Sequence, residues 1–118
     1  MADVCSLTCG SFTGVDPTAY KEKEESLQSI FHFLYMDPDN RTLSICGGRN
    51  VPHDPERLKY IFNLLASILG EDGRGSILLT CDQTEICYFR RNKWKLVQVY
   101  IPEDPFEDIH YVSDNQVG

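Results

Sequence analysis

Five cysteines and three histidines are the residues of this 118-residue chain best suited to covalent or metal chemistry. Cys5 and Cys9 have the Cys-x3-Cys spacing that a metal site tolerates. No second close pair and no histidine pair accompanies them, whereas structural zinc sites bring two paired knuckles. Cys46, Cys81 and Cys87 read instead as small buried strand residues. Cys81 and Cys87 flank a tight turn and could sit opposite each other. A Cys–His nucleophile built from Cys46 or Cys87 with His32, His53 or His110 has no local protease or transferase signature behind it. The run Gly70-Glu-Asp-Gly-Arg-Gly75 has the glycines of a phosphate loop but not its Gly-Lys-Ser/Thr end. It also precedes a strand and carries two acids that repel phosphate. These readings point to no catalytic residue, no metal site and no cofactor.

Two other groups of residues bear on binding. Arg90, Arg91, Lys93 and Lys95 gather around Trp94 at a hairpin tip, a basic patch on an acidic chain. Such a patch suits an acidic partner segment, with Trp94 as aromatic anchor; a solvated hairpin with a partly buried Trp is the plainer alternative. Phe31, Phe33 and Tyr35 fall on one face of an apolar run, and Ile30, Leu34 and Met36 on the other. A single helix layer does not cover both faces, so the first three are expected to meet a partner. Asp104-Pro105-Phe106 matches peptides read by endocytic adaptors, but three residues recur by chance, and a local turn packing Phe106 is preferred.

Composition narrows the class. Eleven Lys and Arg against 18 Asp and Glu give a net charge of −7. Phosphate recognition runs on Lys and Arg, so nucleic acid is not expected as a partner, and an anionic membrane surface is disfavoured. No run approaches the roughly 20 apolar residues of a membrane span, and the first residues lack the basic region of a signal peptide. Both features predict a cytoplasmic protein with reduced thiols that needs no disulfide. At this size one domain can form a core from apolar burial alone.

The elements that must position these residues follow from periodicity. Residues 1–15 show no sustained period and read as a flexible N-terminal arm. Asp16-Pro17 opens a short charged helix, with Asp16 as N-cap. The run Ile30–Met36 and the alternating Arg41–Cys46 surround the turn sequence Asp37-Pro-Asp-Asn40 and read as a hairpin. Asp54-Pro55 opens the clearest helix, with Leu58, Ile61, Phe62, Leu65 and Leu69 at one-face spacing and Gly70 as its stop. Glu71–Gly75 reads as a connection. Ser76–Cys81, Glu85–Arg90 and Trp94–Ile101 are rich in β-branched and aromatic residues and read as a meander ended by Pro102. Residues 103–118 form an acidic tail without Lys or Arg. The expected architecture is α+β: one antiparallel sheet of about five strands in residues 16–102, with the Pro55–Leu69 helix packed on it, in the order α-β-β-α-β-β-β.

That order resembles the roadblock/LC7 family of scaffold subunits, related in outline to longin domains and profilin. The resemblance runs from about Asp16 to Ile101. It rests on the strand pair closed by Asp37–Asn40, the Leu58–Leu69 helix, and Thr84-Glu-Ile-Cys-Tyr-Phe followed by Trp94-Lys-Leu-Val-Gln-Val-Tyr-Ile. It implies a non-enzymatic interaction subunit that forms homo- or heterodimers through a sheet edge or helix face. A small acidic adaptor holding an extended client is one alternative. A cysteine-based metal-binding or enzymatic domain is another.

Overall fold

The computed structural model describes residues 4–46 and 49–99. Seven strands and two helices follow in the order β1 (Val4–Val15), α1 (Pro17–Ile30), β2 (Leu34–Asp37), β3 (Thr42–Ile45), β4 (Arg49–Pro52), α2 (Pro55–Ser67), β5 (Leu69–Thr80), β6 (Thr84–Arg90) and β7 (Lys93–Val99). All seven strands belong to one antiparallel sheet, ordered β2-β3-β1-β5-β6-β7, with β4 also on β1. This overturns the roadblock-like order and the count of about five strands. The first described element is a strand, and that strand lies at the centre of the sheet.

The expected flexible arm is therefore β1, and its concealment has a physical cause. Cys5, Leu7, Gly10, Phe12 and Val15 are all buried, but their spacing changes from two to three twice. A β-bulge interrupts the pairing with β5 between Thr8 and Ser11, and a second between Thr13 and Val15. Each bulge inserts a residue and moves the alternation to the other phase. Cys9 and Gly14 take the left-handed conformation at these places, with φ of 55° and 64°. Gly14 fits it without penalty. On its other edge β1 pairs with β3 through Gly10–Phe12 and with β4 through Val4–Leu7.

Both helices begin as their sequences demand. Asp16 Oδ1 accepts from the Thr18 and Ala19 amides at 3.0 and 3.4 Å. Asp54 Oδ1 accepts from the Glu56 amide at 3.1 Å. A proline follows each cap, where its missing N–H costs nothing. α2 stops at Ser67, short of the expected Leu69, and Leu69 starts β5. The presumed connection Glu71–Gly75 is likewise inside β5. α1 runs to Ile30 and buries Tyr20, Leu27 and Ile30. The β2–β3 turn is held by Asp37, which accepts from the Asp39 and Asn40 amides and from the Asn40 side chain at 2.7 Å. The Asn40 side-chain bond leads in holding the Asp37 carboxyl below its ordinary pKa.

α2 lies against β6 and β7, and α1 contacts α2. One core joins the helices to a single face of the sheet, including Phe12, Leu43, Ile45, Ile61, Phe62, Leu65, Ile77 and Phe89. Phe12 and Phe89 meet at 5.3 Å, Phe62 and Phe89 at 6.0 Å, Phe62 and Trp94 at 5.1 Å. Gly75 stands opposite Phe12 in the β1–β5 register. A Cβ there would fall 2.0 Å from Phe12 Cδ1, so the ring lies directly on the glycine. No polar or charged side chain is buried among the described residues.

Candidate functional site

Two places carry chemistry that the core does not consume. The first is the sheet face away from the helices. Alternation sends Arg74, Ser76, Leu78 and Thr80 of β5 to that face, with Thr84, Ile86, Tyr88 and Arg90 of β6 and Lys93, Lys95, Val97 and Val99 of β7. Leu78 is paired with Ile86, and Ile86 with Val97, so three apolar side chains run straight across three strands. Tyr88 is paired with Ser76 and Lys95 and is 49% exposed; Val97 is 37% exposed. Four cations and no acid stand among these twelve positions, on a chain of net charge −7. On β1 and β3 the same face carries Val4 at its end and otherwise Ser6, Thr8, Ser11, Thr13, Thr42 and Ser44.

The structure sorts the sequence-expected binding residues. Arg90, Lys93 and Lys95 are exposed on the open face. Arg91 is in the turn, 3.7 Å from Glu71. Trp94 points the other way, part-buried, as in the plainer of the two readings from sequence. Its Nε1 donates to Asn63 Oδ1 at 2.8 Å, and its ring packs on Phe62. The hairpin tip is further tied down by the Asn92 amide, which donates to the Ala66 carbonyl at 3.1 Å. Phe31 is also corrected: it ends α1, is 2% exposed, and belongs to the core. The helix reaches the residue expected to begin a strand, which turns Phe31 inward. Phe33 and Tyr35 are exposed, at 55% and 59%. Tyr35 opposes Ser44 in the β2–β3 ladder.

The second place is one end of the sheet, where three segments converge. Ser6 pairs with Thr80 and Cys5 with Val51, so β1 brings Cys5 between the ends of β4 and β5. Cys5 and Cys81 form a disulfide, with their Cα atoms 4.5 Å apart. This corrects the all-reduced expectation. The residue opposite Cys87 is Leu96 on one side and Ile77 on the other. His53, the residue after β4 and before the α2 cap, puts a ring nitrogen within 4.8 Å of both sulfurs. His53 and Cys81 line a cleft of about 420 Å³ together with Leu58, Phe62, Asp82, Glu85 and Trp94. Local sequence gives no sign of this trio, because Cys5 and Cys81 are 76 residues apart. Only the bulged central strand unites them.

Of the remaining thiols, Cys9 and Cys46 are exposed and Cys87 is buried. Burial is the main cause that pushes the Cys87 thiol up to about 12, with Glu85 adding to it and the Lys95 amide opposing it. A thiol so held is protonated and a poor nucleophile. His110, residues 103–118 and the Asp104-Pro105-Phe106 peptide lie outside the described residues. No described helix is long and apolar enough to cross a membrane. No family model, curated protein or solved structure matches this chain.

Proposed function

We propose that the protein is a non-enzymatic interaction subunit whose open sheet face takes an acidic segment of a partner protein carrying apolar anchors. The observation that supports this is the Leu78–Ile86–Val97 row beside Tyr88, framed by Arg74, Arg90, Lys93 and Lys95 on an otherwise acidic chain. An apolar row on a face that no described element covers exposes hydrocarbon that burial by a partner would remove from water. The cations select charge sign and speed encounter, while the apolar row and Tyr88 supply the contact area. A second copy is the poorer occupant, because both copies would bring the same cations to one contact. Nucleic acid fits less well, since the net charge opposes it over longer range.

Selection of a displayed random-peptide library on the full-length protein tests this reading. Enriched peptides should combine Asp or Glu with Leu, Phe or Tyr, and binding should weaken as salt is raised. Lys93→Glu with Lys95→Glu, and separately Tyr88→Ala, should abolish the enrichment. No enrichment, enrichment of basic peptides, or enrichment indifferent to these substitutions would overturn it. Sedimentation showing a dimer that Tyr88→Ala dissolves would assign the face to a second copy and also defeat it.

A further inference from the structure

We propose that Cys5, Cys81 and His53 form a redox-gated site for a thiophilic divalent cation, Zn2+, which is closed by the disulfide and opens on reduction. The three ligand atoms already lie within 4.8 Å of one another. Zinc takes thiolate sulfur at about 2.3 Å and imidazole nitrogen at about 2.0–2.1 Å, which sets tetrahedral ligand-to-ligand distances of roughly 3.5–3.8 Å. Small side-chain rotations reach that spacing once the sulfur–sulfur bond is broken. The backbone is prepared for it: Cys5 is on the central strand, Cys81 directly follows β5, and His53 is fixed between β4 and the Asp54 cap. Two thiolates with one imidazole form a donor set that favours zinc over magnesium or calcium. The cleft beside His53 and Cys81 leaves the fourth position to water or a small ligand.

The chemistry balances with a thiol as reductant. Two molecules of thiol give two electrons and two protons to the Cys5–Cys81 bond and leave as their own disulfide. The two cysteines are then thiols. Zn2+ displaces one proton from each, and His53 coordinates as the neutral imidazole. Exchange with a small-molecule disulfide, which takes the two electrons and leaves as two thiolates, restores the Cys5–Cys81 bond and expels the ion, because the bonded sulfurs no longer offer thiolates. The site is independent of the open sheet face, so it stands or falls apart from the proposed docking function.

The test uses the full chain, reduced with a phosphine, freed of metal, and titrated with Co2+ and then Zn2+. Expected results are one Co2+ per chain with a thiolate-to-cobalt charge-transfer band, displacement by Zn2+, and no band for the oxidised protein. His53→Ala should weaken binding by about tenfold or more, and His53 is exposed, so its loss leaves the core intact. Cys9→Ser with Cys46→Ser should leave binding unchanged. The inference is overturned by a folded, reduced protein that gives no band, by equal affinity in His53→Ala, or by loss of binding in the Cys9/Cys46 variant.

Discussion

The two faces of the β5–β7 meander come from the same three strands and alternate residue by residue, yet they are under different physical demands. On the covered face, Ile77, Leu79, Cys87 and Phe89 are at most 2% exposed and join Phe12 and Phe62 in one core. On the open face, Leu78, Ile86, Tyr88 and Val97 are similar in apolar character but retain contact with water. The covered residues are explained by helix packing. The open ones are not required by it, since apart from Val4 mostly Ser and Thr stand on the same face of β1 and β3. Among the described residues, apolar side chains concentrate on the β5–β7 half of this face, beside four cations, and the proposed docking rests on that concentration.

The largest way to break this contrast is to damage the covered face. Phe62→Ala removes a ring that touches both Phe89 and Trp94, and should cost about 3–5 kcal/mol in urea unfolding. Gly75→Val should be comparably damaging, because the added Cβ occupies the space of the Phe12 ring. A loss under about 1 kcal/mol for either would show that this face is not the tightly packed one.

The disulfide sharpens the comparison from one end of the sheet. It closes a loop spanning 76 residues, for which chain entropy gives an upper bound of about 4.5 kcal/mol. Reduction without added metal should lower the unfolding midpoint, and Cys5→Ser should reproduce that midpoint and be insensitive to reductant. An unchanged midpoint on reduction would mean that β1 is held by its ladders alone.

How much of this was legible in the sequence depends on whether a residue's role was local. The caps at Asp16 and Asp54, the turn around Asp37–Asn40 and the buried face of α2 are set by neighbours within one or two turns, and their residues stated them. The central strand was hidden because bulges at Cys9 and Gly14 broke its alternation, so Cys5, Leu7 and Phe12 read as unstructured. The first half of β5 was hidden by Gly70, Gly73 and Gly75, which look like loop residues but serve close approach of β1. Trp94 was legible as a hairpin aromatic, but its direction depended on Asn63, 31 residues earlier. The Cys5–Cys81–His53 cluster was invisible for the same reason: its members meet only through tertiary pairing.

Cys87 separates the faces by chemistry. At neutral pH a thiol reagent should modify Cys9 and Cys46 readily and Cys87 only on unfolding, as mass spectrometry would show. The pH dependence has a definite sign. The folded thiol's pKa lies at about 12, above an unfolded value of about 8.5. Its neutral form therefore stabilises the fold fully below the unfolded value, and that contribution is lost as pH rises from there towards 12. Urea midpoints of wild type and Cys87→Ala should run parallel between pH 6 and about 8. Above that range the wild type should fall more steeply. Parallel curves throughout would mean that the thiolate is accommodated in place.

The smallest stability effect should come from the open face. Val97→Thr keeps a β-branched side chain on β7 and removes apolar contact surface that no helix covers. Its effect on unfolding should stay within about 0.5 kcal/mol. Lys95→Gln, opposite Tyr88, should be equally mild. If the apolar row exists for docking, both changes should nevertheless weaken binding of an acidic, apolar-anchored peptide in fluorescence titration, Val97→Thr through contact area and Lys95→Gln mainly through association rate and salt dependence. The decisive quantity is the ratio of the two losses: large in binding and near zero in stability on this face, and the reverse for Phe62→Ala once the protein is measured below its unfolding midpoint. A Val97→Thr variant that unfolds as readily as Phe62→Ala would mean that this face is covered within the protein itself, and the difference between the two faces would disappear.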